Sequence, residues 1–273
     1  MFWFVFFVLV LLLVTGVVIS YHLTIGHYVL YSSKLRSSVR LLLIADLHSC
    51  RYGEKQETLV RAIEDLSPAP DALMFCGDIA DDKIPIENTE ALLDALANRY
   101  PCYYITGNHE FWSGEVEKIK DVFRRHGVVV LEGNSVPLSI RGEKTVISGV
   151  DDPESGNFES QFAEVSKGIN AGSYSILLSH RPEKFARYVS ARFDLVLSGH
   201  AHGGLWRVPG ILRGFVAPNQ GFFPKYTSGE YKEQSTTMIV SRGLARESTR
   251  IPRFFNSVEL VVVDLLPEEA SRK

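Results

Sequence analysis

Five short runs of this chain are almost wholly apolar: residues 41–45, 72–76, 102–105, 175–178 and 195–197. A strand with one wet face alternates apolar and polar side chains. Runs without that alternation are buried on both faces, as the strands of a parallel sheet are. Helical stretches separate them, at residues 57–66, 90–99, 114–125, 158–169 and 183–190. The steps from Asp46 to Asp78 and from Asp78 to Asn108, 32 and 30 residues, match the length of a βαβ unit. Further β-like runs occupy residues 128–131, 145–150, 236–241 and 258–263. The pattern predicts an α/β domain of sheets flanked by helices over residues 40–266, followed by a polar tail at 267–273.

Each of the five runs ends in residues that carry chemistry. The ends read Asp46-Leu47-His48, Gly77-Asp78, Gly107-Asn108-His109-Glu110, Ser179-His180 and Gly199-His200-Ala201-His202. Ligands of open α/β sheets sit at the carboxyl ends of strands, so these five ends should converge on one place. Five of the eight histidines stand there. Turn chemistry accounts for a lone His or a lone Gly-Asp, but not for five strand ends that all finish in Asp, Asn or His.

Counting donors sharpens the expectation. Asp46, Asp78, Asn108, His48, His180, His200 and His202 offer seven ligands. A single catalytic zinc takes three protein ligands and a water, so seven suit two metal ions about 3.5–4 Å apart bridged by one carboxylate. A mixed nitrogen and oxygen shell without thiolate favours manganese, iron or zinc, and manganese is placed first.

The first 20 residues, MFWFVFFVLVLLLVTGVVIS, contain no charged side chain. At about 1.5 Å per residue they span the ~30 Å hydrocarbon core of a bilayer. A cleaved signal peptide should open on Lys or Arg and close on a small-x-small site, and neither is present. Residues 1–31 are therefore expected to be a membrane anchor and its connector, and 32–39 a basic juxtamembrane linker. Lys34, Arg36 and Arg40 follow the span, which predicts a single-pass cell-membrane protein with a cytoplasmic domain. Trp3, Tyr21, Tyr28 and Tyr31 fit aromatic belts at its two ends.

Charge and cysteine content narrow the partners. Lys and Arg number 29 against 32 Asp and Glu, a net charge of −3. That balance supplies no basic excess for nucleic acid, which is excluded as a partner. Cys50, Cys76 and Cys102 are odd in number and form no CxxC pair, which argues for a reducing compartment rather than a disulfide framework.

The ordered blocks DxH, GD, GNHE, a lone His and GHxH resemble the calcineurin-like metallophosphoesterase superfamily over Asp46 to His202. The segments SHRPE, SGHAHGG, YTSGEY (226–231) and VSRGL (240–244) are similar to its bacterial membrane-associated phosphodiesterases. The resemblance implies a four-layer α/β/β/α sandwich, here with an N-terminal transmembrane helix. It implies one metal on Asp46, His48, Asp78 and His202. The second would lie on Asp78 as bridge with Asn108, His180 and His200. A water between two dications is acidic enough to serve as hydroxide near neutral pH. His109 would protonate or stabilise the leaving oxygen, and Glu110 would orient its neighbours. Asp151 and Asp152 read equally well as a solvated turn before Pro153 and are left out of the site.

Departures from relatives restrict the class. Purple acid phosphatases carry a Tyr ligand where this chain has Asp81. Ser/Thr protein phosphatases place a phosphate-gripping Arg after GD, where this chain has Asp81 and Asp82. The relatives' Gln after HGG is replaced by Leu205. Residues 204–226 are rich in Leu205, Trp206, Ile211, Leu212, Phe215, Phe222 and Phe223, with Arg207, Arg213 and Lys225 between them. Such a loop suits a lipid tail and its phosphate as well as it suits a satellite core. Trp112 would form another wall of the pocket. The expected function is a membrane-anchored dinuclear-metal phosphohydrolase, first a phosphodiesterase. Alternatives are a lipid-linked pyrophosphate hydrolase of the UDP-diacylglucosamine type and a phosphomonoesterase. A non-catalytic scaffold is disfavoured because all seven ligands and His109 are present.

Overall fold

A computed structural model describes residues 1–170, 172–246 and 251–268. The chain opens with α1 (Phe2–Ser20), β1 (Thr24–Ser32), β2 (Val39–Ile44), α2 (Glu57–Glu64), β3 (Ala72–Cys76), α3 (Glu87–Leu96) and β4 (Cys102–Ile105). It continues through α4 (Asn108–Trp112), α5 (Val116–Arg125), β5 (Val129–Val130), β6 (Asn134–Ile140), β7 (Glu143–Gly149), α6 (Phe158–Lys167) and β8 (Tyr174–Leu178). The last elements are α7 (Phe185–Ala191), β9 (Leu195–Ser198), β10 (Val216–Ala217), β11 (Gly221–Phe222), β12 (Gly229–Glu233), β13 (Thr236–Val240) and β14 (Glu259–Pro267).

Two six-stranded sheets form, in the orders β1-β14-β2-β3-β4-β5 and β12-β13-β9-β8-β7-β6. Parallel pairing runs from β2 to β5 and through β7, β8, β9 and β13. All five apolar runs are strands of these parallel blocks. Because β2 is apolar on both faces, it feeds two cores. Leu41, Leu43 and Ala45 pack between the sheets with Met74, Ile105, Ile147, Ile176, Leu197 and Val261. Leu42 and Ile44 face outward with Leu59, Leu92 and Phe123, which come from α2, α3 and α5. On the far side Phe158 and Phe162 of α6 and Phe185 and Tyr188 of α7 cover the second sheet. The result is the expected α/β/β/α layering.

Two expectations for the N-terminal region need correction. Residues 24–31, taken as part of the connector, and Ser32 of the linker form β1, paired in parallel along its length with β14. Its residues alternate between half-buried and exposed, the period of an edge strand, and Tyr28 and Tyr31, expected as interfacial aromatics, lie on that strand. The basic linker is also tied down. Leu35 is buried, and Lys34 Nζ donates to Asp194 at 2.8 Å. At the other end Pro267 closes β14, and residues 269–273 of the predicted tail lie outside the described residues.

Beyond the expected runs, β6 and β12 extend the second sheet as antiparallel edge strands. Their turn-rich, polar sequences gave no strand signal. The tie between α1 and the domain was not anticipated either. In its last turn the backbone carbonyls of Gly16, Ile19 and Ser20 accept bonds from Phe255 N, Ser257 Oγ and Val258 N. Asn256 N donates to Ser20 Oγ, and Arg246 Nη2 donates to Tyr21 O. Helix-end carbonyls that would otherwise need water are thus satisfied by the domain.

Candidate metal centre

The carboxyl ends of β2, β3, β4, β8 and β9 place all seven candidate ligands together, and each is buried. Asp46, His48, Asp78, His200 and His202 all have positive φ, between 46° and 66°. A residue with a Cβ adopts that conformation at a cost of about 1–2 kcal/mol. Its recurrence at one place is the strain expected of a functional site. Glycine makes the close approaches possible: a Cβ on Gly107 would stand 2.2 Å from Asp78 Oδ1, and one on Gly243 2.6 Å from Asp46.

Two groups emerge. In Asp46, His48 and His202, and again in Asp78, His180 and His200, candidate ligand atoms lie within 4.8 Å of one another. Asp78 stands between them, its Oδ2 3.7 Å from His48 Nε2 and 3.1 Å from His180 Nε2. Each carboxylate has one oxygen fixed by a backbone N–H and the other turned into the cluster. Asp46 Oδ1 accepts from His200 N and Asp78 Oδ1 from His109 N, both at 2.8 Å. Asp46 Oδ2, Asp78 Oδ2, His48 Nε2, Asn108 Oδ1, His180 Nε2 and His200 Nδ1 are all buried without a hydrogen-bond partner. Burying such groups unpaired costs roughly 1–3 kcal/mol each. These atoms can all present lone pairs at one locus, which fits cations.

Outward hydrogen bonds fix the imidazoles. His180 Nδ1 donates to Cys76 O at 2.7 Å, leaving Nε2 to face Asp78. His48 Nδ1 pairs with Asp81 Oδ1 at 2.8 Å, and His200 Nε2 with Asn219 Oδ1 at 2.7 Å. Such outer partners set ring orientation and tautomer in metal sites. Burial, then neighbouring His and Arg charges, hold His200 and His202 well below the usual histidine range. They are therefore neutral, the form that ligates. Burial works against charge on Asp78 as well, but His180, His48 and His109 outweigh it and keep Asp78 ionised.

Glu110 is buried and accepts from the backbone N–H groups of Gly107, Asp78, Ile79 and Ala80, at 2.7 to 3.1 Å. It braces the loop that carries Asp78, the orienting part expected of it. His109 lies at the rim with its Nδ1 2.6 Å from Asp82 Oδ1 and 3.2 Å from Asp81 Oδ1. Burial alone would lower its pKa, but Asp81, Asp78 and Asp82 raise it to about 9. Trp112 stands over it, ring centroids 4.8 Å apart.

Several residues around the centre escaped sequence reasoning. Asp151 and Asp152 are buried rather than a solvated turn. Asp152 takes Arg181 by Nε and Nη2 at 2.5 and 2.8 Å, and Asp151 accepts from Thr106 and Lys120. Arg181 Nη1 reaches Asn219 Oδ1 at 2.5 Å, so Asn219 joins His200 to this network. Arg253 and Asn256 bond the backbone oxygen of His202. The position of Arg181 directly after His180 was the one available hint.

The family model for calcineurin-like phosphoesterases matches residues 39–204, which span every one of these strand ends. The chain belongs to that family. The phosphoesterase is 30% identical to the metallophosphoesterase YkuE of Bacillus subtilis, over 83% of this chain and 78% of that one. It is 28% identical to a metallophosphoesterase of Aquifex aeolicus, over 90% and 93%. A transmembrane protein with metallophosphoesterase domain from Bos taurus is 29% identical over 77% of this chain and 49% of its own length. Among solved structures, the fold resembles Haemophilus influenzae NAD nucleotidase with a TM-score of 0.51 at 17% identity, covering 77% of this chain and 46% of that one. The phosphoesterase is thus a metal-dependent phosphoester hydrolase, with His and Asp clusters suited to a dinuclear site.

Proposed function

We propose that this phosphoesterase is a membrane-anchored phosphodiesterase. One ion would lie on Asp46, His48, Asp78 and His202, the other on Asp78, Asn108, His180 and His200. The observation that carries the assignment is the set of six buried, partnerless ligand atoms on these residues. When bound, a pair of divalent ions supplies a nucleophile of lowered pKa and neutralises charge on the phosphoryl oxygens. Manganese is the first choice, before iron or zinc.

The chain's own residues supply the rest. His109 is held by Asp82 through Nδ1, which leaves Nε2 to deliver a proton to the leaving oxygen. Raised by its carboxylates, its ring carries that proton at neutral pH. Asp81 steadies His48, and the Asp152–Arg181–Asn219 network steadies His200. Helix α1, 19 residues without a charged side chain, is long and apolar enough to cross a bilayer, and it serves here as the anchor. The cytoplasmic side is assigned from Lys34, Arg36 and Arg40, and protease treatment of intact cells should leave the domain uncut.

The test uses the full chain, because β1 begins only four residues after α1 and a truncation at residue 33 would remove it. Mn²⁺-loaded protein should hydrolyse bis-p-nitrophenyl phosphate well above p-nitrophenyl phosphate, with Asp78→Ala as the blank. Preference for the monoester would reassign it as a phosphomonoesterase.

A further inference from the structure

Helix α1 has no spacer between it and the catalytic face. Its 19 residues at about 1.5 Å each are only as long as a hydrocarbon core is thick. A spanning α1 must therefore enter the bilayer at Ser20, the residue that the 254–258 segment grips. That segment is continuous with the metal centre, since Asn256 Nδ2 bonds His202 O at 2.7 Å. The sheet agrees on the direction. Thr24 at the start of β1 pairs with Glu259, whose N–H donates to Gly243 O, and Gly243 packs on Asp46. Anchor and metal centre share one end of the first sheet.

At that same end the chain exposes large apolar side chains. Ile211 is 86% exposed and Phe222 and Phe223 are each 69% exposed. Phe222 and Phe223 form one surface with the anchor, and Ile211 lies in the 208–212 turn that follows Trp206. Phe254 lies against Gly16 of α1 and bridges Trp206, which stacks on Phe215, and Phe215 contacts both Phe222 and Phe223. Trp206 Nε1 donates to Pro252 O. Arg213 and Lys225 are exposed between the aromatics, where anionic headgroups would lie. The β10–β11 hairpin that carries Phe222 turns at Asn219, the partner of His200 and Arg181. The aromatic surface therefore borders the mouth of the site itself.

We propose that Trp206, Ile211, Phe222 and Phe223 seat in the bilayer surface that α1 enters, and that the phosphoester is taken from that surface as the headgroup of an amphiphile. The proposal rests on the membrane-anchored phosphohydrolase reading and names its substrate class. Continuity with α1 selects a bilayer as the occupant rather than a second copy of the chain. Aromatic and aliphatic side chains flanked by basic ones are what an interfacial contact requires.

The native cysteines are all buried, so one introduced cysteine can be labelled selectively. Full-length Ile211→Cys, Phe223→Cys and Ser235→Cys, each with an NBD label, would be placed in phosphatidylcholine–phosphatidylglycerol nanodiscs with and without brominated acyl chains. Ser235 is exposed in the β12–β13 turn, at the opposite end of the second sheet. Bromine should quench the labels at 211 and 223 and spare the one at 235. Quenching at 211 and 223 no stronger than at 235 overturns the proposal. So does a blue shift there without bromine quenching, which would mark a protein contact. A second readout is the ratio of turnover for a p-nitrophenyl phosphodiester lipid in the nanodisc to that for soluble bis-p-nitrophenyl phosphate. Phe222→Ser combined with Phe223→Ser should lower that ratio by roughly tenfold; an unchanged ratio contradicts delivery from the surface. Failure of the wild type to cleave either diester would refute the catalytic assignment, while the quenching still decides the docking.

Discussion

Asp78 gives one carboxylate oxygen to the backbone N–H of His109, 2.8 Å away, and turns the other, buried, toward His180 Nε2 at 3.1 Å and His48 Nε2 at 3.7 Å. One side chain thus sets the position of the rim histidine and offers the oxygen that lies between the two His groups. In the proposed mechanism, metal holding and proton delivery would be joined at this residue. Asp78→Ala should lower bound metal from two ions toward none and abolish turnover. Metal content of the purified variant checks this, and retention of two ions would remove Asp78 from its bridging place.

Chelation should act on the fold as well as on activity. With the ions gone, six lone-pair atoms are buried without partners, and a ligand that binds only the folded state stabilises it by mass action. Wild-type protein should melt at lower temperature in EDTA and recover on adding Mn²⁺. In Asp78→Ala, EDTA should shift the melting temperature little.

His109→Ala should keep both ions and lose about 10²–10⁴-fold in turnover, the usual contribution of a positioned acid. Asp82→Asn removes the nearer of the two carboxylates at Nδ1 and leaves Asp81 Oδ1 at 3.2 Å. Its kcat should fall while KM stays near wild type. An unchanged kcat with a poor leaving group in both variants would reduce His109 to a strut.

Glu110 is the buried acceptor for four backbone N–H groups around Asp78. Glu110→Ala strands those donors, at about 1–3 kcal/mol for each one left without water. Urea denaturation of the metal-free variant should show a clearly lower midpoint, and metal affinity should fall with it.

Asp264 joins β14 to β2 and β1, accepting from Arg40 Nε and Nη2 at 2.6 and 2.7 Å and pairing with His27 at 2.7 Å. Burial would raise its pKa, but Arg40 and His27 outweigh burial and hold the carboxyl below the usual range. A carboxyl lowered in the folded state adds stability above its unfolded pKa of about 3.9, and that stability is lost as pH falls through the folded value. Asp264→Asn should therefore destabilise by about 1–3 kcal/mol at pH 7 and by less at pH 3. Denaturation midpoints at the two pH values decide it.

The sequence was legible where a residue type has one reason to be present. Fully apolar runs required doubly covered strands, and Asp, Asn and His at their ends required a shared locus; both are found. Residues whose meaning depends on distant partners were not legible. Tyr28 and Tyr31 suit a membrane interface as well as an edge strand, and only the ladder with β14 separates the two. Asp152 reads as a turn acid until Arg181, 29 residues away, is seen to neutralise it. Asn219 sits in a loop with no periodic signal, and folding alone brings it to His200.

The most direct test of the central claim is metal stoichiometry measured together with turnover on full-length protein. Mn²⁺-loaded wild type should hold two ions per chain and cleave bis-p-nitrophenyl phosphate, and Asp78→Ala should lose the ions and the activity together. One ion per wild-type chain, or an Asp78→Ala variant that keeps both ions and full turnover, would contradict a centre bridged by Asp78.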